Sequence, residues 1–366
     1  MKFDHYEILC REDGTMYRLG QGAASSSYKA MDVDLQVPVV LKVMRSELMQ
    51  DDAARKRFLR EARAAAAVRH PNVAQIYRLG EHDGSCFYAR EFLEGETVET
   101  RVSREGPLAI KEAVRIAREV AQALVAVKKM GLVHREIKPS NLMISPDGSV
   151  KIIDFGLAKS GGTGDAQNLG SITISGFMGT AEYASPEQLN EKELDVSSDI
   201  YALGCTLWFM LAGRPPFRGA VALVMGKHLQ TNPPFEELSQ FPQAVRSLIA
   251  QMLEKEPASR PASPAQLVEE LTRCIAELEG DPKAEGEAVR TPKPEPTFKR
   301  MTANREPASS TPARYFLLSE VLVGALIALI IYFVLTRPMP PPASPESAPS
   351  SASVEKDGNI LAGGNK

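Results

Sequence analysis

Residues 6–45 alternate apolar and polar positions in short runs broken by Gly and Asp, the pattern of an antiparallel sheet of several strands. The most β-rich run, Pro38-Val39-Val40-Leu41-Lys42-Val43, carries one lysine among residues of buried type. Then the period changes. Asp51 to Arg69 reads as a helix, with Asp51 or Asp52 as N-cap, an alanine-rich second half, and Glu61 mid-helix beside Phe58, Leu59 and Ala62. Cys86 to Glu96 returns to strand. Ile110 to Met130 sets Val114, Ala117, Ala121, Leu124 and Val127 along one helical face, with Gly131 as the terminating residue. Ala265 to Leu278 is a polar-faced helix that closes this part of the chain.

Beyond it the patterning lapses. From Glu279 to Arg314 the composition shifts to Pro, Glu, Lys, Ser and Thr, which predicts a disordered juxtamembrane linker over 279–314. Tyr315 to Leu335 is apolar apart from Ser319 and Glu320, and at ~1.5 Å per residue it spans roughly 30 Å, enough for a bilayer core. Flanked by polar, Pro-rich segments it has nothing to pack against, so 315–335 is expected to be a membrane helix. Lys299, Arg300, Arg305 and Arg314 precede it and only Arg337 closely follows, which puts the N-terminal domain in the cytoplasm and the tail outside the cell. That tail, 336–366, is Pro/Ala/Ser-rich and too short and polar for a sensor domain.

Composition adds exclusions. With 366 residues and 43% hydrophobic content there is ample material for a large domain, and a formal net charge of -3 gives no pointer to nucleic acid. Cys10, Cys86, Cys205 and Cys274 are scattered without paired spacing, which argues against a disulfide framework or a zinc site. Met1 to His5 begins no apolar run, so no secretory signal is expected.

The chemistry lies in His134-Arg135-Glu136-Ile137-Lys138-Pro139-Ser140-Asn141, followed after two strand-like runs by Asp154-Phe155-Gly156. Two short loops there supply a carboxylate, a lysine, an asparagine and a second carboxylate. Phosphoryl transfer needs such a set: a group to orient the attacking hydroxyl, a cation near the moving phosphate, and oxygen ligands for magnesium. The stretch resembles the catalytic loop and magnesium loop of eukaryotic-like Ser/Thr protein kinases of bacterial type, with Glu136 where the family has Asp. Leu19-Gly20-Gln21-Gly22 resembles the glycine-rich loop, with Ser25 for its third glycine and Ser27 for its valine. Glu91 to Gly95 resembles the hinge, and Gly179 to Glu187 the substrate-docking segment, with Ser185 in place of an alanine.

This resemblance runs from residue 6 to about 278, and it implies an α+β, two-lobed kinase fold with a small antiparallel β lobe carrying one main helix and a large helical lobe. It implies ATP and Mg as cofactors. Nucleotide contacts would come from Leu19, Gly20, Gly22, Ser27, Lys42, Glu61, Glu91, Leu93 and Met143, with Lys42 holding the α and β phosphates and paired to Glu61. Asn141 and Asp154 would hold the metal. Glu136, Lys138, Asn141 and Thr180 would be catalytic: Glu136 orienting the acceptor hydroxyl, Lys138 stabilising the transferring phosphate, and Thr180 positioning loop and substrate. His134 would hold backbone, Asp199 would accept N–H bonds from the catalytic loop, and Arg260 would pair with Glu187. Phosphate on Thr173 or Ser175 would pair with Arg135 and order the activation segment.

Two departures bear on nucleotide binding. Arg90 falls at the back of the adenine pocket, where the family has an apolar side chain and where a buried guanidinium needs a carboxylate partner. Val40, where the family prefers alanine, narrows the adenine slot. The sequence therefore leaves two readings: a membrane-anchored Ser/Thr protein kinase acting on protein substrates, with a homodimer possible through the kinase domain or the membrane helix, or a pseudokinase acting as a nucleotide-responsive scaffold at the membrane.

Overall fold

The computed structural model describes residues 1–22, 25–45, 52–156 and 181–280. Ser171, Thr173, Ser175 and Thr180 of the activation segment lie outside the described residues, as do the apolar run 315–335 and the tail 336–366. Among the described residues no helix is long and apolar enough to cross a membrane.

Seven strands form the N-terminal sheet: β1 (Lys2–Phe3), β2 (Tyr6–Ile8), β3 (Arg18–Gln21), β4 (Ser25–Asp32), β5 (Val37–Met44), β6 (Ile76–His82) and β7 (Ser85–Glu91). Their order is β1-β2-β4-β5-β7-β6, with β3 paired to β4, and every pair is antiparallel. Asp32 makes the β4–β5 turn by accepting from the backbone N–H of Asp34 and Leu35 at 3.1 and 3.0 Å. The two faces of the sheet then serve different cores. Phe87 and Ala89 join Tyr6, Ile8, Ala30, Val39 and Leu41 on one side, while Cys86 and Tyr88 face the main core on the other. Strand β7 is thus buried on both faces, and Arg90 near its end is buried with it.

Helix α1 (Asp52–Ala66) lays Phe58, Ala62 and Ala65 into that main core. From β7 the chain crosses to the second lobe through Gly95, whose φ is +127° and where an added Cβ would lie 2.0 Å from the Ile144 carbonyl oxygen. Only glycine fits there. Beyond the crossing come β8 (Glu96–Thr97), α2 (Val98–Glu105), α3 (Ile110–Lys129), β9 (Leu142–Ile144) and β10 (Val150–Ile152), the three strands forming an antiparallel β10-β9-β8 sheet. Helix α3 buries the face read from its sequence and ends at Met130-Gly131, where Gly131 takes a φ of +68°.

The remaining helices are α4 (Pro186–Leu189), α5 (Val196–Ala212), α6 (Val221–Gln230), α7 (Gln243–Met252) and α8 (Pro264–Gly280). Helix α5 is buried nearly all round and carries Trp208 into the centre of the lobe. Each large apolar side chain buried in this way contributes roughly 1.5–3 kcal/mol. Helix α8 extends through Gly280, two residues into the stretch read as linker.

Candidate active site between the two lobes

The catalytic-loop residues are held from below by α5. Asp199 in its first turn accepts from the backbone N–H of His134 at 2.7 Å and of Arg135 at 2.8 Å. These bonds stabilise a left-handed backbone at Arg135, φ +67°, which costs a non-glycine residue on the order of 1 kcal/mol. Gln188 adds a third tie by donating to the Arg135 carbonyl at 3.1 Å. Burial pushes Asp199 up to about 7, against the downward pull of its two N–H donors.

His134 is buried, stacks 4.5 Å from Phe155 and accepts from the Glu136 N–H at 3.4 Å. Burial lowers its pKa to about 4, so it is neutral at physiological pH and suited to holding backbone. The two loops meet closely. Gly156 N–H donates to the His134 carbonyl at 3.1 Å, and a Cβ on Gly156 would come within 3.3 Å of Arg135, Glu136 and His134 atoms.

Asn141 ends the 3-10 turn Pro139–Asn141, where its side-chain nitrogen donates to the Glu136 carbonyl at 2.9 Å. That leaves its amide oxygen as the ligand atom. Its main-chain carbonyl accepts from Ile153 N–H at 3.0 Å, which sets Asp154 beside it. A carboxylate and an amide oxygen are hard donors of the kind magnesium takes, so these residues fit the ion that the resemblance implies. Lys138 Nζ sits 2.9 Å from Glu136 Oε1, placing the two expected catalytic side chains together.

Asp154 has more partners than the sequence indicates. Lys42 Nζ lies 3.2 Å from Oδ2, the Tyr88 hydroxyl donates to Oδ1 at 3.2 Å, and Arg90 Nε stands 3.5 Å from the same oxygen. Burial works to raise the Asp154 pKa, but Lys42 and Arg90 hold it below the usual aspartate value. For Lys42 burial works downward, and Asp154, Tyr88 and Glu136 together more than reverse it, keeping the lysine charged. Burial raises Tyr88 well above the ordinary tyrosine value, so its hydroxyl stays protonated as a donor.

The expected Lys42–Glu61 pair is therefore replaced. Lys42 takes Asp154 as its counter-charge in the buried cleft, and Glu61 on α1 instead approaches Arg135 at 3.9 Å. The carboxylate partner required for Arg90 is Asp154 itself. Tyr88 and its bond to Asp154 were missed in the sequence, although period two along β7 puts it on the face that carries Arg90 and, across the register, opposite Lys42.

At the hinge, Glu91 is anchored on three sides. Its side chain meets Lys151 at 2.6 Å and accepts from Gln75 N–H at 3.2 Å, while its own N–H donates to the Gln75 carbonyl at 2.8 Å. Leu93 is buried two residues on, Val40 is buried opposite Arg90, and Met143 pairs with Thr97 across β8 and β9. Leu19, Gly20, Gly22 and Ser27 lie on or beside the β3–β4 pair, with a register irregularity between Arg18 and Gly20. Gly22 N–H donates to the Ser25 carbonyl at 2.8 Å. A Cβ on Gly20 would meet no described heavy atom within 4 Å, so protein packing does not demand this glycine.

Below the site, Glu187 and Arg260 form the expected pair at 2.7 and 2.9 Å. Ser185 caps α4 through a reciprocal capping box with Gln188, the same residue that holds Arg135.

Fold and site together define a protein kinase domain, and the sequence matches the family described as "Protein kinase domain" over residues 15–271. The chain belongs to that family. It is 37% identical over 256 residues to the serine/threonine-protein kinase pkn3 of Myxococcus xanthus, covering 67% of this chain and 46% of that protein. With PknB of Mycobacterium tuberculosis it shares 34% over 282 residues, 75% of this chain and 44% of the relative. PrkC of Bacillus subtilis is 36% identical over 248 residues, 66% and 37% of the two chains. The chain thus spans less than half the length of these relatives. Among solved structures, a mutant form of the kinase domain of Mycobacterium tuberculosis PknI superposes with a TM-score of 0.58 at 24% identity, covering 75% of this chain and 97% of the other, a likeness of fold.

Proposed function

We propose that the chain is a membrane-anchored Ser/Thr protein kinase that transfers the γ-phosphate of ATP to hydroxyls of protein substrates. The observation that carries this reading is the convergence of Lys42, Glu136, Lys138, Asn141 and Asp154 on one cleft, through the contacts Lys42–Asp154, Lys138–Glu136, Asn141–Glu136 and Ile153–Asn141. The named relatives are all serine/threonine-protein kinases, which favours the enzyme over the scaffold.

In this reading Asn141 and Asp154 would hold magnesium, which would supply neutralisation of the phosphate charge. Lys42 and the Gly20–Gly22 loop hold the phosphates, and the backbone at Glu91 and Leu93 takes the adenine edge. The acceptor Oγ forms a bond to the γ-phosphorus as the bond to the β-γ bridging oxygen breaks and ADP leaves. Glu136 orients the hydroxyl and receives its proton, while Lys138 faces the charge on the transferring group.

The test is transfer of labelled γ-phosphate to casein by the full-length chain, beside Glu136→Asp and Glu136→Gln. Aspartate in this loop retains or raises the rate, because it restores the family's carboxylate. Glutamine lowers it about a hundredfold, because it cannot take the proton. A glutamine variant as fast as wild type removes Glu136 from the mechanism, and a wild type that labels neither casein nor itself removes the kinase reading.

The apolar run 315–335 and the basic residues before it support a single span, with residues 6–278 cytoplasmic and 336–366 outside. Homodimers would form through the kinase domain or this helix. The full-length chain is expected to sediment with membranes and a chain lacking 315–335 to stay in the supernatant. The anchor is disproved if both distribute alike.

A further inference from the structure

We propose that Arg90 is a resident cation that latches the ligand-free site by spanning from the hinge carbonyl of Glu91 to the carboxylate of Asp154, so that magnesium must displace it to bind. The inference rests on the kinase reading for what the site takes, but its evidence is this chain's own geometry. Arg90 is 6% exposed, and its Nη1 donates to the Glu91 carbonyl at 3.1 Å. Its Nε stands 3.5 Å from Asp154 Oδ1 as a charge contact without a hydrogen bond, and no other described group accepts from that nitrogen. A buried N–H in this state is poorly satisfied, so the position is one a side chain can be drawn out of.

Both carboxylate oxygens of Asp154 are already engaged, Oδ2 by Lys42 and Oδ1 by Tyr88 and Arg90. A divalent ion needs those same lone pairs, and it brings two more positive charges to a carboxylate that Lys42 and Arg90 already flank. At a few ångströms in a partly desolvated site, like charges repel strongly, so metal and guanidinium exclude one another. The other end of Arg90 sits on the Glu91 backbone, where the resemblance places adenine. Base and metal thus contest one side chain from its two ends. An apolar residue at position 90 offers neither contact, and the magnesium requirement of nucleotide binding is then set by the remaining groups alone.

The experiment is calorimetric binding of ADP to the full-length chain across a magnesium series, for wild type, Arg90→Met and Arg90→Gln. Methionine fills the space without charge, and glutamine keeps a polar group if methionine impairs folding. Both variants are expected to reach half of the magnesium-induced tightening at a magnesium concentration on the order of tenfold lower than wild type. Variants that bind ADP where wild type binds none support the latch in its extreme form. Variants that need as much magnesium as wild type, or more, overturn the proposal, as does failure of all three to bind ADP at any magnesium concentration. Because the readout is binding, a chain that transfers no phosphate but shows the shift loses the kinase reading and keeps the latch. An active chain with no shift does the reverse.

Discussion

Asp154→Asn transfers phosphate at least on the order of a thousandfold more slowly than wild type, measured as label incorporated from γ-labelled ATP. Asp154 is the carboxylate of the proposed metal pair, since Asn141 can offer only a neutral amide oxygen. The ion it would hold is what neutralises the developing negative charge of the transition state, and weakening such a group commonly costs about a hundredfold to a thousandfold or more. The same substitution strains the ligand-free fold. Lys42 and Arg90 stand 3.2 and 3.5 Å from this carboxylate, and an asparagine leaves both cations without their counter-charge in a mostly buried cleft. Breaking a buried pair from one side costs about 3 kcal/mol or more. The rate comparison therefore belongs at a temperature below both melting transitions. A variant that keeps a tenth of the wild-type rate excludes Asp154 as a metal ligand.

Arg260→Ala lowers the melting temperature by on the order of 10 °C. The Arg260 side chain is fully buried, donates to both oxygens of Glu187, and also donates to the carbonyls of Ser197, Glu254 and Lys255. Truncation strands Glu187 with Ser198 as its remaining described side-chain donor, at 2.6 Å. The expected loss is about 3–5 kcal/mol, and a domain of this size shifts by about 2–4 °C per kcal/mol. Lysine does not rescue it, because it lacks the planar fork.

The pH dependence follows from Glu187. Burial works to raise its pKa, but the hydrogen bonds from Arg260 and Ser198 hold it below the usual carboxylate value. Its contribution is therefore fully present above the unfolded carboxylate pKa and is lost as pH falls through the lower, folded value. In the alanine variant the unpaired carboxylate shifts the other way. The gap in melting temperature between wild type and variant thus narrows as pH falls, and thermal scans at neutral and acidic pH measure it. A loss of less than about 1 kcal/mol at neutral pH means the pair does not hold the lobe together.

Legibility in the sequence followed the physics of each element. Helix α3 was readable because one face is apolar at a period of 3.6 and Gly131 stops it. Helix α5 is apolar nearly all round, so periodicity had no purchase, and only Ser198 to Gly204 marked its start. Catalytic-loop residues and their neighbours were legible because their chemistry is local in the chain. The partners of Asp154 were not, because Lys42, Tyr88 and Arg90 come from two strands whose register and approach to the second lobe are tertiary facts. The resemblance pairs Lys42 with Glu61, whereas the structure sets Lys42 on Asp154 and brings Glu61 toward Arg135, an outcome that depends on where α1 sits against the cleft. Arg90 was readable as a buried cation in need of a carboxylate, and only the structure shows that Asp154 fills that need.

The most direct test of the central claim is phosphoamino-acid analysis of the full-length chain after incubation with γ-labelled ATP and magnesium, with Asp154→Asn alongside. The account predicts label on serine and threonine in wild type and essentially none in the variant. A wild-type chain that binds nucleotide but carries no label, or carries as much as Asp154→Asn, contradicts it.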